Sequence, residues 1–583
     1  MKSSSAKHRV TLFSQTAGYR IPSLISVIFV IIEVLCAIFI PRLTAQLIDN
    51  GITNSRTDQI WMYSGIILAL AILSLCAGIT SGYFASKATA GVATNLRHNM
   101  FVNIENFSFA NFDKYSKASL ITRLTNDITN IQNAYMMMIR GFIRAPFMLV
   151  GAIIMAFTSN VKLALVLLGV ILIVTILLVT IIYFSFPRFS AMLKGYDQLN
   201  SKAKENIAGI KTIKAFVTEE KELEEFKKTS EWVKKLGIRA EKLVALNSPL
   251  MIGTIFISLF FIMLVATWQI ARNPHGEMTI GILASFVSYM FQTLMALMMA
   301  SFVFVSFTIA KASANRILEV LNEEPVIKNC ANPVYELNKG SIRFENAFLQ
   351  YGGAKKPTLK DLNLTINAGE TIGVIGATGS AKSSFVNLIP RLYDVTSGAL
   401  YIDDINVKDY DLTTLRDNVG IVLQKNTLFK GTIRENMQWG KLDATDEEII
   451  EALKNASAYE FVMEKEGQLD AEVEEKGNNF SGGQKQRLCI ARALIKKPKI
   501  IILDDSTSAV DNKTDKKIRT AFNEKLQDTT KIIIAQRISS IENASRIIVM
   551  KKSRVIDFDT HENLLNNNEF YRGLYESQTN DVE

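Results

Sequence analysis

The chain has 583 residues, 48% of them hydrophobic, and it carries a net charge of +9. The apolar residues concentrate before about residue 310, which excludes a wholly soluble protein and indicates a membrane protein with an attached soluble domain. Positive charge can suggest nucleic acid, but cytoplasmic loops and solvated helix faces account for it better, and the four cysteines show no metal-like or paired spacing.

Six apolar stretches are long enough to span a membrane, since a crossing needs about 20 mostly apolar residues. The first stretch follows three basic residues, but it is long, begins late and lacks a small-residue cleavage pattern, so it predicts a retained span rather than a signal peptide. An even number of crossings returns the chain to its starting side. The predicted spans lie near residues 21–40, 60–85, 141–158, 161–185, 247–271 and 279–309.

Basic residues in the loops predict the orientation, because Lys and Arg accumulate on the cytoplasmic side of a membrane. The loops after the second and fourth spans hold most of them, whereas the loops after the third and fifth contain mainly Lys162 and Arg272. We therefore expect a multi-pass protein of the plasma membrane with both termini in the cytoplasm. Residues 1–20 would form a cytoplasmic segment, and residues 21–321 a transmembrane domain.

Two features of the spans bear on what they bind. Glu33 lies in the first span, where an ionisable group usually faces the protein interior or water. It either contacts a cationic compound or hydrogen-bonds a neighbouring helix. Met and aromatic side chains suit an adaptable hydrophobic cavity, and equally suit lipid-facing or helix-packing surfaces. They are Phe256, Phe260, Phe261, Phe286, Phe291, Phe302, Phe304, Met290, Met295, Met298, Met299 and Met136 to Met138.

Two long cytoplasmic loops, near 86–140 and 186–246, are polar and rich in helix formers. A continued helix of about 25 residues would project nearly 40 Å past the membrane, at 1.5 Å of rise per residue. The turns at 111–114 and 215–220 are therefore candidate contacts to a cytosolic domain. The alternative is that each is an ordinary loop between helices.

A linker is predicted at residues 322–340. In residues 341–583 apolar runs alternate with helical stretches, which predicts an α/β domain. A phosphate loop follows the predicted strand 371–375, and its backbone N–H groups and helix N-terminus favour phosphate. Lys382 would reach the β- and γ-phosphates and Ser383 would ligate Mg²⁺, while Ala381 replaces an expected glycine and restricts the backbone. The residues predicted here to bind ATP are Gly376, Thr378, Gly379, Ser380, Ala381, Lys382, Ser383 and Ser384.

A buried strand at 500–503 would carry Asp504 and Asp505 to the carboxyl end of a parallel sheet, where such sheets bind ligands. Asp504 is predicted to hold Mg²⁺. Asp505 stands where nucleotide-hydrolysing sites of this type usually place Glu, and its carboxylate reaches about 1.5 Å less far. Gln536 stands where His is usual, and an amide lacks the charge and proton chemistry of imidazole. We expect this site to hold ATP better than it hydrolyses it.

The sequence Phe480-Ser481-Gly482-Gly483-Gln484 precedes a predicted helix, of which Ser481 can be the N-cap. With this motif, residues 20–575 resemble a half-transporter of the ATP-binding-cassette exporter family. The resemblance implies a membrane α-helical, six-helix exporter-type domain fused to an α/β P-loop nucleotide-binding domain. By the same resemblance, Tyr351 stacks on adenine, Gln424 links Mg²⁺ to the membrane domain, and Ser481, Gly482, Gly483 and Gln484 close on the other subunit's ATP, with Asp511 at the dimer seam and 472–477 as the cross-contact loop.

In that family two cassettes enclose two ATP molecules, each between one phosphate loop and the partner's signature. This chain combines an intact signature with altered base and switch positions, so a homodimer would build two defective sites. A dissimilar half-transporter carrying Glu and His would leave one competent site. We therefore expect a subunit of a heterodimeric multidrug exporter that moves lipophilic small molecules and contacts membrane lipids. The alternatives are a lipid or peptide exporter subunit, an ATP-gated channel and a regulatory ATP-binding subunit.

Overall fold

The computed structural model describes residues 10–272, 278–505 and 512–580. These residues divide into two compact units. The first unit takes in the described parts of Met1–Glu105 and Ala118–Glu323, and the second those of Asn106–Lys117 and Glu324–Glu583. A short piece of the first long loop therefore belongs to the same unit as the C-terminal domain.

Helices build the first unit. Among the described residues, six helical stretches are long and apolar enough to cross a membrane, which confirms the six predicted spans. The helices of the N-terminal part of the chain are α1 (Arg20–Gln46), α2 (Thr57–Glu105), α3 (Phe109–Lys114), α4 (Lys117–Thr122), α5 (Ile128–Met136), α6 (Phe142–Ser159), α7 (Val161–Ala208), α8 (Ile210–Ala215), α9 (Glu219–Ala245), α10 (Asn247–Arg272) and α11 (Ile280–Leu321).

Two of these helices continue far beyond their apolar stretches. Helix α2 has 49 residues and α7 has 48, and at 1.5 Å per residue each is about 70 Å long. The polar end of α7 packs against α9, where Lys202 Nζ lies 2.8 Å from Glu225 Oε2 and 3.1 Å from Glu222 Oε2. The prediction that the two long loops continue the spans as helices is therefore confirmed.

The described helices of the first unit share a buried core, and some of them contain short segments that are wound differently. Apolar side chains of α1, α6, α7, α10 and α11 form one buried cluster. Three short segments wind as π-helix, a form that occurs mostly as single turns inside α-helices and often at functional sites. They are Leu47–Ile52, Arg123–Asp127 and Met137–Gly141.

The second unit is an α/β domain, as predicted, and its strands form three sheets. The largest has the order β12-β11-β3-β10-β9-β6, with β11, β3, β10, β9 and β6 parallel and β12 antiparallel. An antiparallel sheet has the order β2-β1-β4-β5, and β7 pairs with β8. The strands are β1 (Ile342–Leu349), β2 (Leu359–Ile366), β3 (Thr371–Gly376), β4 (Ser397–Ile402), β5 (Ile405–Asn406), β6 (Val419–Val422), β7 (Gly431–Thr432), β8 (Glu472–Val473), β9 (Ile500–Asp504), β10 (Thr530–Ile534), β11 (Arg546–Lys551) and β12 (Arg554–Asp559).

Strand order decides which parts of the chain meet. Strand β10 lies between β3 and β9, so the carboxyl ends of these parallel strands share one edge of the sheet. The helices described in this part of the chain are α12 (Lys382–Leu388), α13 (Leu412–Asn418), α14 (Ile433–Gln438), α15 (Asp446–Asn455), α16 (Tyr459–Met463), α17 (Gly482–Leu494), α18 (Asn512–Lys525), α19 (His561–Asn567) and α20 (Glu569–Asn580).

The short helix α3 is the part of the first long loop that lies in the second unit. Asp113 Oδ2 accepts a hydrogen bond from the Tyr393 hydroxyl at 2.9 Å, and the ring of Phe109 meets that of Tyr393 edge to face at 6.0 Å. Asn111 Nδ2 donates to the carbonyl of Glu324 at 2.9 Å. The first predicted contact turn therefore packs on the C-terminal domain.

The second predicted turn lies in the first unit, after α8. Phe216 and Val217 are strongly exposed there, and Val217 adopts a φ of 51°. Its contact to a cytosolic domain stays a prediction.

Candidate nucleotide-binding site

The phosphate loop connects the buried strand β3 to α12. Gly379 adopts a φ of 81°, and Ala381, the residue before the helix, adopts a φ of 75°. The left-handed region costs a residue with a Cβ about 1–2 kcal/mol relative to the right-handed one. The glycine that the pattern leads one to expect at position 381 would carry no such cost. This alanine therefore makes the loop conformation less favourable.

Lys382 and Ser380 line the inside of this loop. The Lys382 ammonium donates to the carbonyl of Gly376 at 2.7 Å and to that of Ala377 at 3.2 Å, and burial lowers its pKa. The Ser380 side chain is only 4% exposed, and its hydroxyl has no hydrogen-bond partner among the described residues. A buried polar group without a partner is costly, so the loop fits a ligand that brings oxygen acceptors, such as a phosphate.

The two acidic residues after β9 lie in different environments. Asp504 is 5% exposed, and burial raises its pKa, although the hydrogen bond that it accepts from the Ser383 hydroxyl opposes this. Asp505 is only partly buried, and its backbone has a φ of 50°. Its Oδ2 accepts a hydrogen bond from Gln536 Nε2 at 2.8 Å. The two positions singled out as altered therefore contact one another directly.

This edge of the sheet offers few ligands for a metal. No group of three or more His, Cys, Asp or Glu side chains that could hold a metal ion occurs in the described ranges. The predicted ligands Ser383 and Asp504 meet, and together they supply one hydroxyl and one carboxylate. That sparse set fits Mg²⁺, which keeps waters and binds through one or two carboxylates plus the phosphates of a substrate.

Gln424 follows β6, the strand beside β9. In the register of these strands Val422 lies opposite Leu503, so the chain beyond β6 runs along the same edge of the sheet as Asp504. The Gln424 side chain is exposed. The structure thus brings Gln424 to the edge where the sequence predicts Mg²⁺, with its side chain open to solvent.

Tyr351 lies at the side of the phosphate loop. Its hydroxyl and that of Ser384 are 2.9 Å apart, and its ring meets that of Tyr393 edge to face at 4.8 Å. Burial raises the pKa of this tyrosine. Tyr393 also donates a hydrogen bond to Asp113 of α3. It therefore contacts both the predicted adenine-stacking residue and the segment of the first long loop that forms α3. The sequence did not signal Tyr393, because this contact joins positions far apart in the chain.

The predicted signature lies at the start of α17. The Ser481 hydroxyl accepts from the N–H of Gln484 at 3.3 Å, and Gln484 Oε1 accepts from the N–H of Ser481 at 3.0 Å. This reciprocal capping box confirms Ser481 as the N-cap. Ser481 and Gly482 are exposed and Gly483 is partly buried, so the helix N-terminus is open to a partner.

Of two further predictions from the resemblance, the structure describes the cross-contact loop at 472–477 but not Asp511. The cross-contact loop comprises strand β8 and the 3₁₀ turn Glu475–Gly477, in which Lys476 adopts a φ of 58°. Asp511 lies outside the described residues. The role of the loop stays a prediction.

In the membrane-spanning helices, Glu33 meets an arginine that the sequence reasoning missed. Glu33 Oε1 lies 2.9 Å from Arg144 Nη1 of α6, and the two side chains are 13% and 34% exposed. The alternative that Glu33 binds a neighbouring helix is therefore borne out, as an ion pair. Arginine at the start of an apolar span was the signal that could have identified this partner.

The Met and aromatic candidates divide into two groups. Phe286 and Met290 are fully buried in the helix core, whereas Phe256, Phe260 and Phe302 are exposed on this chain. Burial in the core supports the helix-packing interpretation for the first pair. Membership of a substrate cavity stays a prediction for the exposed ones.

Comparison with known proteins gives consistent matches along the chain. The model of the ABC transporter transmembrane region matches residues 23–297, and that of the ABC transporter matches residues 359–508. The "Uncharacterized ABC transporter ATP-binding protein YfiB" of Bacillus subtilis (strain 168) is 34% identical over 554 residues, which cover 95% of this chain and 96% of that protein.

A second relative and a solved structure extend the comparison. The "Putative multidrug export ATP-binding/permease protein YgaD" of the same Bacillus subtilis strain is 30% identical over 582 residues, covering 96% of this chain and 97% of that protein. The structure of a bacterial Atm1-family ABC exporter with ATP bound matches with a TM-score of 0.82, covering 96% of this chain and 99% of that chain. At 20% identity, that likeness concerns the fold alone.

Proposed function

This chain belongs to the ABC transporter family as an exporter half-transporter, and from that premise we propose that it is the degenerate-site subunit of a heterodimeric exporter of lipophilic compounds. Exporters of this family act as dimers and couple ATP hydrolysis to transport. The observation that carries the proposal is the hydrogen bond between Asp505 and Gln536. It joins a short carboxylate and an uncharged amide at the positions where catalysis needs a base and a switch.

Residues of the phosphate loop and of the neighbouring edge of the sheet support ATP binding with Mg²⁺. Lys382 would exchange its two carbonyl partners for phosphate oxygens, and Ser380 would gain the hydrogen bond it lacks. Ser383 and Asp504 would hold Mg²⁺ together with Gln424. Bound Mg²⁺ would supply charge neutralisation between the phosphates. Tyr351, whose hydroxyl lies 2.9 Å from that of Ser384, would present its ring to adenine.

Weak hydrolysis follows from the reach of Asp505. A general base must come within about 2.6–3.2 Å of its proton donor, and correct placement contributes roughly 10²–10⁴ in rate. The carboxylate here is one methylene short and already accepts a hydrogen bond from Gln536. The Gln536 amide carries no charge and does not act as an acid or a base. This site would therefore retain ATP with slow turnover.

A dissimilar partner follows from the intact signature. Ser481 caps α17 with full reciprocal hydrogen bonding, and small residues follow it at an exposed helix N-terminus. Such a terminus favours the negative charge of a phosphate. A partner with Glu and His at the two altered positions would form the competent site against this signature. The remaining site would use the phosphate loop of this chain.

The cargo proposal draws on a relative and on side chains of the spans. YgaD is named as a multidrug export protein, and the exposed Phe256, Phe260 and Phe302 would give an adaptable apolar lining. We infer a protein of the plasma membrane with both termini in the cytoplasm, because Lys and Arg accumulate in the loops after the second and fourth spans. Lipids and lipophilic small molecules are its expected contacts.

The test exploits the division of labour between the two sites. The full chain is purified alone and with a candidate partner half-transporter that carries Glu and His at the two altered positions, and ATP hydrolysis and dye efflux are measured in proteoliposomes. We expect activity only from the pair. In the pair, Ser481→Ala should reduce hydrolysis more than tenfold, whereas Asp505→Ala should change it by less than threefold.

A matched control separates loss of the signature from loss of a helix cap. Thr445 caps α15 with the same reciprocal box, formed with Glu448, and removing an N-cap costs about 1 kcal/mol. Thr445→Ala should therefore reproduce the stability change of Ser481→Ala but leave hydrolysis unchanged. Brisk hydrolysis and efflux by the chain alone would refute the heterodimer. Strong loss from Asp505→Ala with little from Ser481→Ala would refute the assignment of the two sites.

A further inference from the structure

A cavity of about 550 Å³ opens among α1, α2 and the π-helical segment Met137–Gly141, all within the first unit. Its polar wall comprises Glu33, Arg140 and Ser74, and its apolar wall includes Leu75 and Ile79. This volume lies in the range of small-molecule sites, which are mostly apolar with a few polar groups that orient the ligand.

The cavity lies at membrane depth. Glu33 follows the first residue of α1, Arg20, by 13 positions, which corresponds to about 20 Å of helix. Helix α2 contributes glycines opposite the charged groups. A Cβ at Gly78 would lie 3.4 Å from Glu33 Cδ, and a Cβ at Gly82 would lie 3.7 Å from Arg140 Nη1. The missing side chains on α2 leave this space open.

The charges around the cavity do not balance. Arg144 neutralises Glu33 through their ion pair. Arg140 lines the cavity, and within the part of the chain that the structure describes it forms no hydrogen bond or ion pair. One net positive charge therefore remains at a depth where an unpaired charge is costly. The π-helical winding that carries Arg140 is a form often found at functional sites.

A second polar atom beside the cavity also lacks a partner. Glu33 Oε2 is buried and accepts no hydrogen bond from any described residue. A buried acceptor without a donor carries a desolvation penalty of about 1–3 kcal/mol. A ligand that brings a hydroxyl or amine next to an anionic group would satisfy both Glu33 and Arg140, while an apolar tail would lie along Leu75 and Ile79.

We propose that this cavity binds an anionic amphiphile, whose headgroup pairs with Arg140 and donates a hydrogen bond to Glu33, and whose tail covers the apolar wall. This inference takes its physiological meaning from the proposed export function and names the substrate class for it. It differs from the expectation that Glu33 receives a cationic compound, because Arg144 already neutralises that carboxylate. The same chemistry is found in phospholipids and in free anionic amphiphiles.

The test measures binding without ATP, so it does not depend on turnover or on a competent partner. The full chain, with any subunit that copurifies, is placed in phosphatidylcholine nanodiscs. Fluorescence anisotropy then compares pyrenedodecanoate with a trimethylammonium probe of the same chain length. We expect the anion to bind at least tenfold more tightly than the cation. Arg140→Gln should reduce this ratio to less than threefold, and Arg140→Lys should preserve it.

Controls and sources are distinguished in the same assay. Arg42→Gln makes the same chemical change at an exposed position on α1 and should leave the preference intact. If phosphatidylglycerol in the nanodisc competes with the anionic probe, the headgroup source is a membrane lipid; if it does not, the source is a free amphiphile. Equal binding of anion and cation, or an unchanged preference in Arg140→Gln, would overturn the proposal. Loss of export with binding intact would instead count against the proposed function.

Discussion

Repair of the altered base and switch positions gives the sharpest test of the nucleotide site. Asp505→Glu extends the carboxylate by one methylene, about 1.5 Å, and Gln536→His restores an imidazole. In the structure, Asp505 Oδ2 and Gln536 Nε2 are 2.8 Å apart. The longer side chain would no longer sit within that contact and would reach further toward the edge of the sheet where the phosphates are expected.

The size of the effect follows from the role of a positioned base. Correct placement is worth roughly 10²–10⁴ in rate, which corresponds to about 3–5 kcal/mol of barrier. Because the two residues share a hydrogen bond, their effects should not add. We expect Gln536→His alone to change hydrolysis by less than threefold, Asp505→Glu alone by about tenfold, and the double variant to give the full gain.

The assay must separate this site from the competent site of the proposed heterodimer. Ser481→Ala on this chain silences the site that uses its signature, so the repair is measured in that background as phosphate release by the purified pair. Lys382→Ala in the repaired protein should abolish the gain. The reasoning is wrong if the double variant, with Ala381→Gly added and ATP binding shown to be intact, hydrolyses ATP no faster than its parent.

Three further predictions concern the soluble domain. Ala381→Gly should stabilise the domain by about 1 kcal/mol, because glycine has no Cβ and adopts the φ of 75° at this position without the steric cost. Thermal unfolding measures this, and a loss of stability would contradict it. Tyr393→Phe removes the hydrogen bond to Asp113 at 2.9 Å and should lower the stability of the domain by about 1 kcal/mol. It should also lower the amount of cargo transported per ATP hydrolysed; an unchanged ratio would show that this contact does not couple hydrolysis to transport. Burial raises the pKa of Glu370, but hydrogen bonds and charge from Arg546 outweigh it and lower that pKa overall. The stabilisation is present above the unfolded-state pKa of 4.5 and is lost as the pH falls through the lower folded-state pKa. Glu370→Gln should therefore destabilise the domain by about 2 kcal/mol at pH 7 and by much less in acid, as measured by unfolding at both pH values.

The nucleotide site was largely predictable because its motifs are local. The phosphate loop, the acidic pair after β9 and the signature each depend on neighbours in the chain, and hydrophobic runs of the right length predicted the strands that carry them. The cap at Ser481 also follows from residues three apart. Ala381 was identified as a departure from the pattern, and the structure adds the left-handed backbone that makes the departure unfavourable.

The contacts between distant residues could not be predicted in this way. The pairs Asp505 with Gln536 and Asp113 with Tyr393 are 31 and 280 positions apart, and nothing in the local sequence specifies that they meet. The same holds for the cavity in the membrane-spanning helices, where Glu33 and Arg140 come from different spans. The sequence left a cationic compound and a neighbouring helix as alternatives for Glu33, and the structure pairs its carboxylate with Arg144 of α6.

Amino-acid order by itself determined the six spans, the α/β class of the C-terminal domain and the chemical identity of the candidate ATP-binding groups, because apolar length, periodicity and short motifs are properties of contiguous chain. Tertiary structure alone decided which charges neutralise one another, that Arg140 has no partner among the described residues, and how α3 meets Tyr393. Those outcomes depend on helix packing and strand order, which bring together side chains that no local rule connects.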